Sequence, residues 1–154
     1  MYNKPIGSSR EIPVDFDQVQ VEDLSIKNLE STVRVSRTRE GLLLQVEAEA
    51  EVKTNCVRCI KEFYLPVQTE FEELFQFPSR HREDTDLVLP ADGFIDLSEL
   101  YREYLILAIP IRHVCQPDCL GLCVVCGVNL NNTNCEHHPR SDEPLDNVID
   151  EEKV

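Results

Sequence analysis

Leu42-Leu43-Leu44-Gln45-Val46-Glu47-Ala48-Glu49-Ala50-Glu51-Val52-Lys53-Thr54 is the stretch on which the fold turns. Leu42, Leu44, Val46, Ala48, Ala50 and Val52 fall on one side of an extended backbone, with Gln45, Glu47, Glu49, Glu51 and Lys53 on the other. Alternation with period two over so many positions predicts an antiparallel strand with one buried and one wet face. Upstream, Val33-Arg34-Val35-Ser36-Arg37 alternates as well, and Thr38-Arg39-Glu40-Gly41 supplies a turn, so the two runs make a hairpin. Earlier still, Ile12, Val14 and Phe16 alternate around Pro13 and Asp15, the pattern of an extended lead-in or edge strand.

Downstream, a second extended run from Phe63 to Phe77 carries Leu65, Val67, Phe71, Leu74 and Phe75. After Pro78, the segment Ser79-Arg-His-Arg-Glu-Asp-Thr-Asp86 reads as a polar surface loop whose His81 has no assigned role. Asp96-Leu97-Ser98-Glu99 has the spacing of a capping box, which predicts a helix from Leu97 to about Ile109, stopped by Pro110. Leu97, Leu100, Tyr101, Tyr104, Leu105 and Ala108 form the face expected on the sheet.

The fold class expected is therefore α+β: mainly antiparallel sheet in long hairpins, with barrel-like closure as an open alternative, one amphipathic helix, and a C-terminal zinc-knuckle module. Residues 1–111 would form the core domain, 112–140 the cysteine-rich module and 141–154 an acidic disordered tail with six carboxylates and one lysine.

The module is the chemically informative part. Cys115, Cys119, Cys123, Cys126 and Cys135, followed by His137 and His138, crowd a segment too short to bury a core. Cys123-Val124-Val125-Cys126-Gly127 reads as a zinc knuckle, in which two thiolates converge on one metal and glycine takes positive φ so that amides point at sulfur. Cys135 and His137 are the nearest candidates for the remaining ligands. Cys56-Val57-Arg58-Cys59 repeats the spacing at the turn between the two long strands, and seven cysteines with His137 give enough donors for two tetrahedral Zn2+ sites. One partition joins Cys56 and Cys59 to Cys115 and Cys119, and Cys123 and Cys126 to Cys135 and His137. A single site, with two or three cysteines left as ordinary thiols, is the alternative, and spacing does not choose between them.

Other uses of the cysteines fit less well. Met1 to Phe16 has no apolar run and does not read as a secretory signal, and an odd cysteine count disfavours a closed disulfide framework. A thioredoxin-like pair at Cys56 and Cys59 would need a helix to follow, but Glu62-Phe-Tyr-Leu-Pro-Val-Gln-Thr69 is β-branched, aromatic and interrupted by proline. The longest apolar run, Tyr104 to Ile111, is far short of the roughly 20 residues that span a bilayer. No membrane role is expected, and the location expected is cytoplasmic. A net charge of −14 would repel a phosphate backbone unless basic residues gather on one face, and would attract basic proteins.

Cys-x-x-Cys after the long hairpin, the Asp96-Leu97 helix ending Ile106-x-x-Ile109-Pro110, and Gly121-Leu122-Cys123-x-x-Cys126-Gly127-x-Asn129-Leu130-Asn131 together resemble the YceD family of large ribosomal RNA subunit accumulation proteins, over roughly Ile12 to Arg140. The resemblance implies a bacterial cytoplasmic protein, with plastid relatives, that supports accumulation or processing of large-subunit (23S) ribosomal RNA. It carries no molecular activity. Val124 stands where the family knuckle commonly has proline, and His137 where it commonly has a final cysteine. Some family members lack most of the C-terminal cysteines, which implies that the metal stabilises a module and is not a reaction centre.

Three functions follow as expectations. The first is a non-enzymatic assembly factor that binds a large ribosomal subunit precursor, through a basic ribosomal protein or an assembly intermediate. The second is a direct binder of large-subunit rRNA, with Arg34, Arg37, Arg39, Arg58 and Lys61 lining one end of the sheet beside the zinc turn. The third and weakest is a metal-dependent hydrolase, which would need an open metal position and a carboxylate base, whereas Cys135-Glu136-His137 offers one adjacent acid among many thiolates.

Overall fold

A computed structural model of the chain describes residues 3–80 and 87–137. Four long strands, β1 (Ser9–Val21), β2 (Leu24–Arg37), β3 (Gly41–Asn55) and β4 (Glu62–Gln76), form one up-and-down antiparallel sheet in the order β1-β2-β3-β4. A single 3-10 turn (Pro78–Arg80) follows, and then helix α1 (Ser98–Leu107). The His81–Asp86 part of the loop, His138, and the tail 141–154 lie outside the described residues.

The alternation in β3 does what its chemistry requires. Leu42, Leu44, Val46, Ala48, Ala50 and Val52 are all buried, while Gln45, Glu47, Glu49 and Lys53 are exposed. Gly41 opens β3 where a Cβ would collide with the Phe75 carbonyl, and Thr38 closes the turn by accepting from the Gly41 amide at 3.0 Å. β2 begins well upstream of Val33, at Leu24, because a bulge between Lys27 and Glu30, with Asn28 at φ 48°, brings both Ile26 and Leu29 to the inner face.

Barrel-like closure is corrected: β1 and β4 do not pair, and the sheet is open. Helix α1 instead touches both edge strands across the inner face. Leu105 is fully buried, Tyr104 stacks on Phe71 with centroids 4.1 Å apart and donates to Glu73 at 2.6 Å, and the Tyr101 hydroxyl meets Ser31 Oγ at 2.7 Å. Arg102 reaches the β1–β2 turn, donating to Asp23 at 2.7 Å. The helix starts one residue later than its sequence predicts, and the capping box is not formed. Leu97 is the N-cap, and Asp96 instead accepts from the Ser98 amide at 2.9 Å, since a carboxylate one place too early closes an Asx turn on the residue two ahead. Hydrogen bonds from Ser98 hold the Asp96 carboxyl below its ordinary value. Among the described residues no helix is long and apolar enough to cross a membrane.

The outer face is acidic in its middle. Asp15, Glu30 and Glu49 are directly opposite one another across β1, β2 and β3, and Glu47 is opposite Glu70 across β3 and β4. Between those two rows lies a depression of about 700 Å³ lined by all five carboxylates. Directly opposed like charges destabilise a sheet, so this arrangement costs the fold stability.

Candidate metal centres

The chain reverses at the far end of β3 through Cys56-Val57-Arg58-Cys59. The Cys56 amide donates to Lys61 O and the Ile60 amide to Cys56 O, both at 2.9 Å, which folds the four residues into a knuckle with the two sulfurs on one side. Ile60 holds φ 62° to complete it. Beyond Pro110, the segment leaving α1 returns to this same turn. The Val57 amide donates to His113 O at 3.1 Å, and the His113 ring lies between Pro110 O, 2.7 Å from Nδ1, and Thr54 Oγ1, 3.2 Å from Nε2. A carbonyl can only accept, so Nδ1 donates to Pro110 O, with Thr54 Oγ1 as the partner of Nε2. His113 thereby fixes the approach that brings Cys115 and Cys119 over Cys56 and Cys59.

These four thiols form the first centre. Their sulfurs all lie within 4.8 Å of one another, with Cys56 to Cys119 at 3.7 Å and Cys59 to Cys115 at 3.6 Å. A disulfide would need about 2.05 Å. Four sulfurs about 2.3 Å from a central ion would stand about 3.8 Å apart along each edge of the tetrahedron, so the observed separations suit a metal and not an S–S bond. Arg58 reinforces the closure by donating through Nη1 to Cys119 O at 2.9 Å, while Leu122 N donates to Arg58 O at 3.1 Å. Gly121, at φ 81°, passes so close to Arg58 O that a Cβ would stand 3.1 Å from it.

The second centre groups Cys123, Cys126, Cys135 and His137, again with all donor atoms within 4.8 Å. Gly127 N donates to Cys123 O at 2.9 Å, repeating the contact that Ile60 makes in the first knuckle, and Gly127 takes φ 73° as the knuckle spacing predicts. The two centres differ in shelter. Cys56, Cys59 and Cys119 are buried in the first, whereas Cys126 and His137 of the second are exposed.

Electrostatics prepares one thiolate in each. Burial pushes the Cys56 thiol up, but the amides of Cys115, Cys59 and Arg58 aimed at its sulfur bring it down to about 6. At the second centre the amides of Cys126 and Val125 bring Cys123 to about 6. Burial and the neighbouring sulfurs push Cys115 up to about 12, and Cys135 is raised by the same causes. Each centre thus has one sulfur whose surroundings favour the thiolate, the form that ligates a divalent cation.

The basic residues meet a different outcome. Arg34, Arg37 and Arg39 lie at the β2–β3 turn, and Arg58 and Lys61 at the β3–β4 turn. The 15 residues of β3 separate these turns, a span of roughly 45 Å. The five therefore do not line one end of the sheet. Arg37 is further engaged with the Phe77 ring, its guanidinium carbon 4.2 Å from the centroid, and Arg58 is committed to Cys119 O. Sequence reading gave no role to His113 or to Asn131. The latter lay in the Asn129-Leu130-Asn131 run, and its side chain reaches Cys119 Sγ at 3.4 Å.

A family model described as large ribosomal RNA subunit accumulation protein YceD matches residues 44–148. An uncharacterized protein of Mycobacterium tuberculosis is 31% identical over 118 residues, which cover 74% of this chain and 57% of the relative. One from Mycobacterium leprae is 30% identical over 114 residues, covering 71% of this chain and 52% of the relative. The chain thus spans little more than half the length of these relatives. A chloroplastic YCED homolog 1 of Zea mays, named as a large ribosomal RNA subunit accumulation protein, is 45% identical over 56 residues, 36% of this chain and 19% of the relative. No solved structure matches.

Proposed function

Since the chain belongs to the YceD family of large ribosomal RNA subunit accumulation proteins, we propose that it is a cytoplasmic, non-enzymatic ribosome-biogenesis factor that supports accumulation or processing of 23S rRNA. It does so by holding a basic ribosomal protein, or an assembly intermediate that displays one, against its acidic outer face. The observation that carries this reading is the depression between Asp15, Glu30 and Glu49 on one side and Glu47 and Glu70 on the other. Carboxylates set directly opposite one another weaken the free protein and gain only when a cationic partner neutralises them.

The metal at both centres is Zn2+ in this reading. Four-sulfur and three-sulfur-one-nitrogen donor sets with tetrahedral spacing suit that ion, and four protein donors leave no open position for substrate or activated water. When bound, zinc ties the end of the sheet to the segment after α1. The chain's own residues do the rest: His113 and Arg58 set the approach, and amides of the two knuckles stabilise the thiolates.

The test is association with large-subunit precursors in lysate, followed by sedimentation. Glu47→Gln/Glu49→Gln/Glu70→Gln is expected to reduce co-sedimentation about tenfold or more, while neutralising Arg34, Arg39 and Lys61 leaves it nearly unchanged. Tight, salt-sensitive binding of the purified protein to protein-free large-subunit RNA, dependent on the basic residues and indifferent to the carboxylates, would overturn the proposal in favour of direct RNA binding.

A further inference from the structure

Cys119, the last donor of the first centre, and Cys123, the first of the second, are four residues apart. The chain between them is pinned from both sides: Leu122 N donates to Arg58 O at 3.1 Å, and Leu130 N donates to Gly121 O at 3.0 Å. Asn131 belongs in sequence to the loop whose two ends, Cys126 and Cys135, are donors of the second centre. In space it serves the first. Its Nδ2 donates to Cys119 Sγ at 3.4 Å, its Oδ1 accepts from the Leu120 amide at 2.8 Å, and Asn129 Oδ1 holds it by accepting from Asn131 Nδ2 at 2.8 Å and from its amide at 3.0 Å.

A divalent cation on four thiolates leaves the first centre with a net negative charge buried beside the sheet, and donors aimed at sulfur lower that charge. Groups that orient or hydrogen-bond metal ligands typically change metal affinity about 10–100-fold. Here the donor sits on a loop whose two ends, Cys126 and Cys135, are donors of the second centre, so metal there adds to the backbone hydrogen bonds that hold the loop. We propose that Asn131 couples the two centres, so that metal at the second tightens metal at the first, and by linkage the reverse holds by the same factor. This rests on the reading of both clusters as metal centres. It goes beyond that reading in making Asn131 a positioning residue and the two sites a cooperative pair.

The probe is Co2+, titrated spectroscopically into the full chain. Cys135→Ser leaves the first centre alone to be measured, Cys56→Ser leaves the second, and the parent chain gives both. The product of the two constants in the parent is expected to exceed the product of the separately measured constants by about tenfold. In an Asn131→Ala background this excess falls to about one. Asn131→Asp keeps the oxygen that accepts from Leu120 and the backbone amide that donates to Asn129 Oδ1, but loses the Nδ2 donor to Asn129 and replaces the donor at Cys119 with a carboxylate. There the excess falls below one, because closing the second centre now presses a negative charge on a thiolate. A purely structural asparagine would not reverse the sign. An excess that stays about tenfold in both backgrounds, or is absent from the parent, overturns the coupling while leaving the metal centres intact. Failure of the parent to bind Co2+ at all overturns the metal reading itself.

Discussion

Ile60 and Gly127 fill the same place in the two knuckles, both donating to the first cysteine carbonyl of their turn at 2.9 Å, yet only one of them is a glycine. A β-branched residue at φ 62° is strained, typically by about 1–3 kcal/mol, and Ile60 is 62% exposed, so its side chain loses little if removed. Ile60→Gly is expected to raise the unfolding free energy of the metal-loaded protein by about 1 kcal/mol in urea titration. A lowered midpoint would show instead that the isoleucine packs on something its exposure conceals. Protonation tells a second story at this scale. Cys56 and Cys123 are lowered from 9.0 to about 6, so between those values the unfolded chain binds more protons than the folded one. Stability of the metal-stripped protein should therefore rise from pH 6 to pH 9, and this contribution is lost once the pH has dropped through 6, below which the profile levels off. Cys115, raised to about 12, works in the opposite direction above pH 9. Thermal melts across pH 5.5–9 in chelator check the sign. A flat profile would mean that the knuckle amides do not reach the sulfurs in the metal-free state. His137 is grouped with the second centre, whereas His138 lies outside the described residues. Metal analysis of His137→Ala should give one ion fewer than the parent, and His138→Ala no loss.

Helix α1 shows how an element can be legible while its joints are not. The three- and four-residue recurrence of Leu100, Tyr101, Tyr104 and Leu105 placed it on the sheet, and Leu100, Tyr101 and Leu105 are indeed its buried residues. Its start is ambiguous in sequence because a capping box and an Asx turn share the same opening aspartate, and here Asp96 closes the latter on the Ser98 amide. The upstream half of β2 was hidden for a related reason. The bulge puts Ile26 and Leu29 three residues apart on one face, so no period-two template finds them. Because α1 spans the inner face between both edge strands, its anchors should be expensive to lose. Leu105→Ala is expected to cost about 2–5 kcal/mol, and Tyr101→Phe, which strands Ser31 Oγ in the core, about 1–3 kcal/mol. Chemical denaturation of each variant measures both, and a Tyr101→Phe loss under about 0.5 kcal/mol would mean that Ser31 finds another partner.

At the scale of the molecule, what was legible was what local pattern controls, and what was not was what topology controls. The knuckles announced themselves by spacing, and the partition of donors that the structure adopts was one of the readings left open. The separation of the basic residues follows from topology, since consecutive turns of an up-and-down sheet lie at opposite ends. The acidic rows could be seen as alternating glutamates in β3, but their alignment with Asp15, Glu30 and Glu70 depends on register across three strand pairs. That alignment makes a prediction with two faces. Glu47→Gln/Glu49→Gln should stabilise the isolated protein by up to about 1 kcal/mol per relieved pair while weakening its association with large-subunit precursors, so stability and binding should move in opposite directions. A variant that gains stability and binds as well as the parent would separate the acidic face from partner recognition. One feature of the first centre concerns time. Its donors come in two pairs, and 56 residues separate Cys59 from Cys115, so a ribosome adding about 5–20 residues per second makes the second pair roughly 3–11 s after the first. For that interval the nascent chain carries two of the four thiols without the other two, and β4, which completes the hairpin behind them, is itself made within it. A metal held by all four thiols would have to arrive late, after Cys119 has been made.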